Sequence, residues 1–226
     1  MRYWLLIVGL IASLGACAQD SDAPASAAPA AFVEGKHYLP LSAAVPTIVG
    51  DKKVEITEIF RFSCPACFRF EQASVEWKKT KSPLAELVKN PVVWNDDTEI
   101  RAQVYYAGAQ LGLEQETAMA IFKSIHEATS QSAAKNALLK EDDILTMFES
   151  LGVERAKAKK MYNNWFIKSK VRQADGRARD FAINGTPELF VDGRYRITVS
   201  SAGSYEAMLQ VADFLVAKIA AERGLN

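Results

Sequence analysis

Two cysteines three positions apart, Cys64 and Cys67, constrain this chain more than any other feature of its sequence. The residues before them, 54–60, predict a strand, and Ser63 with Pro65 predicts a short turn that leads into a helix. Pro65 suits the first helical position because its missing N–H is not needed there, so we expect Cys64 at the helix N-cap. The positive end of a helix stabilises a thiolate. The sequence therefore predicts a redox-active pair, with Cys64 as the exposed nucleophile and Cys67 as the resolving cysteine.

An inert structural disulfide and half of a zinc site are the two alternative interpretations of this pair. The third cysteine, Cys17, lies in an N-terminal signal, and His37 and His126 stand alone, without ligand-like spacing to the pair. A structural zinc site needs four ligands, so redox chemistry is favoured over metal binding. We expect His126 to be a surface residue rather than a catalytic group, and we expect neither a metal nor a cofactor.

The N-terminus has the pattern of an export signal. Arg2 is followed by the apolar run 3–14, which is too short to span a bilayer comfortably. The run ends in Leu-Gly-Ala-Cys, which is similar to a bacterial lipobox and predicts lipidation of Cys17. Cleavage after Ala18 is the alternative, and it would release a soluble protein. We expect the signal to occupy residues 1–18.

Residues 19–33 are rich in Ala, Ser and Pro and predict a flexible tether between the signal and a folded domain. Without the signal, Cys64 and Cys67 are the only cysteines, so the core must hold without structural disulfides. The remaining chain is long enough for one domain with a large core. Lys plus Arg and Asp plus Glu both number 27, so no charge excess directs the protein to nucleic acid. We expect a monomer in the periplasm, held at the membrane by lipid.

Helical patterns dominate the middle of the chain. The first helix breaks near Ser82, and a short apolar strand is expected at 92–94. The expected helices that follow cover 100–111, 114–127, 132–139, 142–151 and, with a bend, 155–181. A hairpin with a tight turn at Asp192 and Gly193 comes next. The last helix presents one apolar face and ends before Gly224.

Three segments resemble DsbA-type thiol:disulfide oxidoreductases of the thioredoxin-like superfamily. They are the entry to the first strand, the active-site loop and the proline loop with its hairpin, at 35–38, 60–67 and 185–195. The resemblance implies an α/β fold: a thioredoxin fold with an all-helical domain inserted between its two halves. The implied division places the first part at 34–98, the insertion at 99–166 and the second part at 167–226.

The resemblance also implies roles for individual residues. Pro187 is expected to follow a cis peptide bond and to expose the Thr186 backbone beside Cys64, where an extended substrate can pair as an added strand. Pro65 and Ala66 are expected to contact the substrate. Glu58 shares the strand face of apolar residues, and it matches the family's buried acid that exchanges protons with the second cysteine. A partly exposed glutamate paired with a lysine is the alternative.

The function implied is an exported oxidoreductase that introduces disulfides into reduced, unfolded secreted proteins. A DsbB-like, quinone-linked membrane oxidase would reoxidise it. Many members carry His before the second cysteine, where its charge stabilises the thiolate, and here that residue is Ala66. We therefore expect a weaker oxidant than those members. A thiol reductase or isomerase and a non-catalytic binder of unfolded chains are the alternatives.

Overall fold

The computed structural model describes residues 32–225. The predicted signal, Cys17 and nearly all of the predicted tether lie outside the described residues. Within them, five strands form one mixed sheet: β1 (Leu39–Pro40), β2 (Val54–Phe60), β3 (Ala85–Pro91), β4 (Glu188–Val191) and β5 (Tyr195–Thr198).

Helices cover the sheet and fill the long connection between β3 and β4. They are α1 (Pro65–Thr80), α2 (Asp96–Gln110), α3 (Glu114–His126), α4 (Gln131–Asn136), α5 (Glu141–Ser150), α6 (Arg155–Tyr162), α7 (Trp165–Asp180), α8 (Val199–Ala202) and α9 (Tyr205–Arg223).

The sheet has the strand order β1-β5-β4-β2-β3, with β2 and β3 parallel and the other neighbours antiparallel. All seven residues of β2 are buried, because β2 pairs on both sides and helices pack against it. The active-site loop follows the C-terminal end of β2 and leads into α1. The fold class is the predicted one: a thioredoxin fold in which a helical segment separates β3 from β4.

The terminal helix α9 covers one face of the sheet. Its buried face, which includes Met208, Leu215 and Ile219, packs against apolar side chains of the sheet such as Ile56 and Leu189. The helix begins at the Ser204 cap and ends at Gly224, whose left-handed φ of 64° glycine adopts without strain. This packing fixes β2 and β4, the two strands that lead to and from the predicted site.

Helices α2 and α3 form the centre of the helical segment. They approach so closely at Gly108 that a Cβ there would lie 2.0 Å from Oγ1 of Thr117. Side chains of this segment, among them Phe122 and Phe148, share one apolar core with Phe60 and Phe62 around the active-site loop. The helical segment therefore packs against the active-site loop through this shared core.

The expected strand at 92–94 is wrong, because the second parallel strand is β3, immediately before it. β3 is the edge strand of the sheet, yet its polar residues Lys89 and Asn90 are both buried. Their polar groups are satisfied: Lys89 pairs with Glu71, and Asn90 donates to the Ala174 carbonyl. Burial of polar groups is tolerated where each finds a partner.

The expected bent helix over 155–181 is two helices. They are separated at Asn163 and Asn164, and the Asn164 side chain accepts from the backbone N–H of Phe166 and caps α7. Asparagine competes for the backbone hydrogen bonds of a helix interior and is favoured at its cap. The predicted tight turn at Asp192 and Gly193 is confirmed: both residues have left-handed φ angles, 58° and 62°, and the N–H of Arg194 donates to the Val191 carbonyl at 3.0 Å.

Within residues 32–225, no helix is both long and apolar enough to cross a membrane. The same residues contain no group of three or more His, Cys, Asp or Glu side chains arranged to hold a metal ion.

Candidate active site

Cys64 lies at the N-cap of α1, as the sequence predicted. Its backbone is extended, with φ −90° and ψ 116°, and its carbonyl accepts from the N–H of Phe68 at 3.1 Å. Pro65 occupies the first helical position. Both cysteines are free thiols, and Cys64 is 8% exposed whereas Cys67 is fully buried. Only the first sulfur is therefore within reach of another protein.

The surroundings of Cys64 lower the pKa of its thiol to about 5. The largest cause is a hydrogen bond from the Cys67 thiol, which outweighs the opposing effect of partial burial. The Thr186 side chain and the backbone N–H groups of Cys67 and Ala66 lower the pKa further. Those two N–H groups are unpaired donors of the first helical turn, so they are the local form of the helix-terminus effect expected from the sequence.

Cys67 has the opposite electrostatics. Burial is the main cause that raises the pKa of its thiol, and the hydrogen bond to Cys64 adds to it. The backbone N–H of Arg61 lies 3.5 Å from its sulfur. At neutral pH one sulfur of the pair is therefore a thiolate and the other is a thiol that donates to it.

The proline loop brings Thr186 against the pair. The Thr186–Pro187 peptide bond is cis, as predicted. When Cys64 is protonated, its thiol donates to the Thr186 carbonyl, with 3.4 Å between sulfur and oxygen. Residues 122 positions apart in sequence thus meet at the reacting atom.

Glu188 holds this loop in place through two contacts, a role that the sequence did not reveal. One carboxylate oxygen accepts from the backbone N–H of Asn184 at 3.2 Å, and the other lies 3.4 Å from Nε of Arg196. Arg196 in turn donates to the carbonyls of Phe181 and Ala182 at the end of α7. Burial raises the pKa of Glu188, against the effect of Arg196. The pair joins the end of α7 to the residue that follows Pro187.

A buried charge cluster connects α1 with two strands of the sheet. It is formed by Glu71 of α1, Glu58 of β2 and Lys89 of β3. Lys89 Nζ pairs with the Glu71 carboxylate and lies 3.5 Å from Oε2 of Glu58. Burial raises the pKa of Glu58, and Lys89 offsets this only in part. Burial acts the same way on Glu71, but Lys89 and Lys78 outweigh it and lower the pKa to about 2. Glu58 is therefore the member that takes up a proton first.

The predicted burial of Glu58 is confirmed, and so is the lysine partner that the alternative interpretation supplied. Glu58 is fully buried, and within the described part of the chain neither carboxylate oxygen has a hydrogen-bond partner. The cluster also extends toward the helical segment, because Gln115 of α3 donates to Glu71 at 2.8 Å and accepts from Lys78 at 2.7 Å. A polar network thus connects α1 with α3.

The expectation that His126 is a surface residue is wrong. The ring is half-buried and stacks on Phe68 with 5.0 Å between ring centroids, and Nε2 lies 2.8 Å from the Phe62 carbonyl. The sequence offered no signal for this contact, because it depends on how α3 crosses the active-site loop. His126 touches the loop but not the sulfurs.

The structure therefore brings Cys64, Cys67, Thr186 and Pro187 together at one point. Pro65 is exposed beside them and Ala66 is half-buried, so both lie on the rim of the pair. Glu58 lies in the layer beneath, in contact with Lys89.

Comparison with known proteins agrees with this geometry. Residues 92–211 match the family model described as a DSBA-like thioredoxin domain. The thiol:disulfide interchange protein DsbA of Burkholderia cepacia is 30% identical over 215 residues, which cover 95% of this chain and 94% of that protein. The DsbA of Pseudomonas aeruginosa is 28% identical over 187 residues, 83% of this chain and 85% of that protein. A crystal structure of Pseudomonas aeruginosa DsbA superposes with a TM-score of 0.75 at 27% identity, covering 85% of this chain and 97% of that one.

Proposed function

The chain belongs to the DsbA family of thiol:disulfide oxidoreductases, and from this premise we propose that its Cys64–Cys67 pair oxidises reduced, unfolded secreted proteins. The single observation that carries the proposal is the difference between the two sulfurs. The pKa of Cys64 is lowered to about 5 while that of the buried Cys67 is raised, so Cys64 is the better leaving group. A reduced pair stabilised as a thiolate makes the corresponding disulfide oxidising.

The reaction runs as two exchanges. A substrate thiolate attacks Sγ of Cys64 in the oxidised pair, the Cys64–Cys67 bond breaks, and Cys67 leaves and takes up a proton. A second substrate thiolate then attacks the substrate sulfur of the mixed disulfide, and Cys64 leaves as a thiolate. The substrate loses two electrons and gains a disulfide, and the enzyme pair is reduced.

Residues around the pair assist these steps. Thr186 and Pro187 hold the substrate backbone, and the position of the Thr186 carbonyl 3.4 Å from Cys64 Sγ supports this assignment. Pro65 and Ala66 contact the substrate at the rim. Glu58 exchanges the proton that Cys67 gains or loses, supported by its full burial and raised pKa.

The protein acts outside the cytoplasm and needs a partner. We propose export to the periplasm, where disulfides persist, and reoxidation by a DsbB-like quinone-linked membrane oxidase. We also propose that the protein is a monomer and that lipid on Cys17 anchors it. If so, Cys17→Ala moves the protein from the membrane fraction to the soluble fraction with unchanged exchange activity in vitro. A wild-type protein that is soluble and begins at Gln19 would support cleavage after Ala18 instead.

Trapping of mixed disulfides tests the proposed chemistry. Cys64→Ser is expected to abolish exchange. In Cys67→Ala the Cys64 thiolate attacks a disulfide-bonded substrate, one substrate sulfur leaves as a thiolate, and the other stays bonded to Cys64 because no Cys67 is present to displace it. A non-reducing gel detects this mixed disulfide. Equal trapping by both variants would overturn the assignment of the nucleophile.

Refolding separates the proposed oxidant from the alternatives. The oxidised wild-type protein is expected to restore activity to a reduced, unfolded enzyme in stoichiometric amounts. A reductase would leave that substrate reduced, and a non-catalytic binder would act equally well as Cys64→Ser.

A further inference from the structure

A cleft beside the active-site loop has no part in the chemistry described above. It has a volume of about 340 Å³ and lies between the loop, the start of α2 and the α4 region. We call it the cationic cleft and define it by Arg61, Trp94, Arg101 and Lys135. Ser63, the residue directly before Cys64, also lines it. The cleft therefore opens next to the reacting sulfur.

Positive charge exceeds negative charge in this cleft. Arg61, Arg101 and Lys135 line it, and Asp97 is the one acidic side chain among its described lining residues. Arg61 and Lys135 make no ion pair with any residue in 32–225. Nε of Arg61 also lacks a hydrogen-bond partner within the same residues.

Arg101 forms the fixed wall of the cleft. Its side chain is held because the guanidinium donates to the carbonyls of Lys135 and Ala137 at 2.8 to 3.3 Å. Arg101 is 4% exposed, and no carboxylate in the described part of the chain lies within ion-pair distance of it. Burial lowers the pKa of Arg101, and the charge of Asp97 in the same cleft opposes this effect. A guanidinium stays charged at neutral pH, so Arg101 contributes a positive potential to the cleft that Asp97 offsets in part.

Trp94 gives the cleft a second chemical property. Its side chain is 53% exposed, which is unusual for a large aromatic residue, and the Arg61 guanidinium lies over the ring at 5.3 Å from its centroid. The ring holds Arg61 without neutralising it, since a cation–π contact involves no counter-charge. An aromatic wall beside Arg61 and Lys135, neither of which has an ion-pair partner among residues 32–225, suits a carboxylate side chain with an apolar stem.

The distance from the reacting sulfur fits a peptide bound there. The backbone N–H of Cys64 donates to the Arg61 carbonyl at 3.0 Å, so Arg61 and Cys64 lie at opposite ends of one tight turn. An extended peptide advances about 3.3 Å per residue, and side chains two positions apart share a face. We therefore expect a side chain two positions from a substrate cysteine to reach the cleft.

We propose that the cationic cleft is a substrate subsite for the carboxylate of an Asp or Glu that flanks the reacting cysteine. Arg61 and Lys135 contact the carboxylate, Trp94 packs on its stem, and Arg101 supplies fixed positive potential. The subsite gives the protein a preference for acidic segments of its unfolded substrates. This inference rests on the proposed function, because it concerns how that reaction selects among substrates.

Paired peptides test the subsite. Two reduced unfolded peptides share one sequence that contains two cysteines, so that each can form an internal disulfide. They differ only in carrying Glu or Gln at the positions two residues before and after the first cysteine. The measured quantity is the ratio of their rates of oxidation by the oxidised protein at low salt. We expect wild type to prefer the Glu peptide by about fivefold, the scale of one or two partly exposed ion pairs, and the preference to vanish at about 1 M salt, where the Debye length is about 3 Å.

Enzyme variants locate the effect. Arg61→Gln and Lys135→Gln are expected to lower the Glu-to-Gln ratio toward one, and the exposed Lys135 gives a variant without risk to the core. Lys168→Gln, which removes an equal charge from an exposed position on α7, is the control and is expected to keep the wild-type ratio. Because the ratio is taken within each variant, a change in overall activity cancels.

Two failures are distinguishable. A protein that oxidises both peptides but shows the same ratio in wild type, Arg61→Gln and Lys135→Gln would overturn the subsite alone. A protein that oxidises neither peptide would overturn the proposed function, and the subsite with it.

Discussion

The thiol of Cys64 donates a hydrogen bond to the main-chain carbonyl of Thr186, 3.4 Å away. Only a protonated thiol can donate, so ionisation of Cys64 ends this contact and frees the carbonyl as an acceptor. An extended substrate needs an acceptor of this kind to pair its backbone with the loop. Ionisation of Cys64 therefore has two effects: it activates the sulfur, and it frees the Thr186 carbonyl to pair with the substrate backbone.

The ultraviolet absorbance of the Cys64 thiolate is expected to titrate near pH 5 in the reduced protein, because its pKa is lowered to about 5. Cys67→Ala removes the largest cause of that shift, so the titration should move to higher pH in this variant. Cys64→Ser should show no titration in this range and serves as the control. An unchanged midpoint in Cys67→Ala would contradict the donated hydrogen bond.

The same shift makes the stability of the reduced protein depend on pH. The pKa of Cys64 in the folded state lies below the ordinary thiol value of about 8.5. Its contribution to stability is therefore fully present above about pH 8.5 and is lost as the pH falls through about 5. The oxidised protein has no such thiolate. Denaturant unfolding should show that the reduced form loses stability relative to the oxidised form as the pH falls over this interval. A reduced form that gains stability relative to the oxidised form on acidification would contradict the account.

Glu188→Ala is expected to loosen the proline loop, because the Asn184 N–H loses its acceptor and Arg196 its carboxylate. KM for a peptide substrate should rise, with a loss of about 1–3 kcal/mol in stability from the unpaired groups. Glu188→Gln keeps the acceptor for Asn184 and should retain most of the binding. Steady-state kinetics separates the two variants, and equal KM values for both would show that the Asn184 contact does not position the loop.

Lys89→Met is expected to destabilise the protein by about 3–5 kcal/mol, because it leaves Glu58 and Glu71 as neighbouring buried acids without their shared cation. Adding Glu58→Leu should restore much of this loss, since Glu71 keeps its contact with Lys78 at 3.0 Å. Urea unfolding of the single and double variants measures both effects. A double variant no more stable than Lys89→Met would show that the unpaired Glu58 carboxylate is not the cause of the loss.

Ala66→His is expected to make the disulfide more oxidising, because a partly protonated ring near the N-terminus of α1 stabilises the Cys64 thiolate. A gain of about 1.4 kcal/mol for the reduced form corresponds to about 30 mV in a two-electron couple. Equilibration with glutathione measures the shift. No change, or a more reducing potential, would show that residue 66 does not influence the thiolate.

The local parts of the site were predictable, because short sequence patterns determine them. The Cys64–Cys67 spacing with Pro65 defines a helix N-terminus, and the resemblance of 185–195 to a known loop located Pro187. Glu58 was detectable because a carboxylate on an otherwise apolar strand face needs a reason. In each case one residue type in one local setting carried the information.

The remaining parts depend on contacts between distant segments, which local patterns do not record. The burial of Lys89 in the edge strand β3 could not be predicted, since its partner Glu71 lies on another element. His126 had no sequence partner, yet it meets the Phe62 carbonyl when α3 crosses the loop. Glu188 looks like an ordinary first residue of a strand, and only its contact with Arg196 in the folded protein shows its role in the loop. Long-range pairing decided all three.

The equilibrium reduction potential of the Cys64–Cys67 pair tests the central claim most directly. The reference values belong to other proteins: about −120 mV for the oxidant DsbA and about −270 mV for the reductant thioredoxin. With Ala66 in place of His and the Cys64 pKa lowered to about 5, we predict a value on the oxidising side, from about −130 to about −200 mV. A potential near −270 mV would contradict the assignment of this protein as a disulfide-forming oxidant.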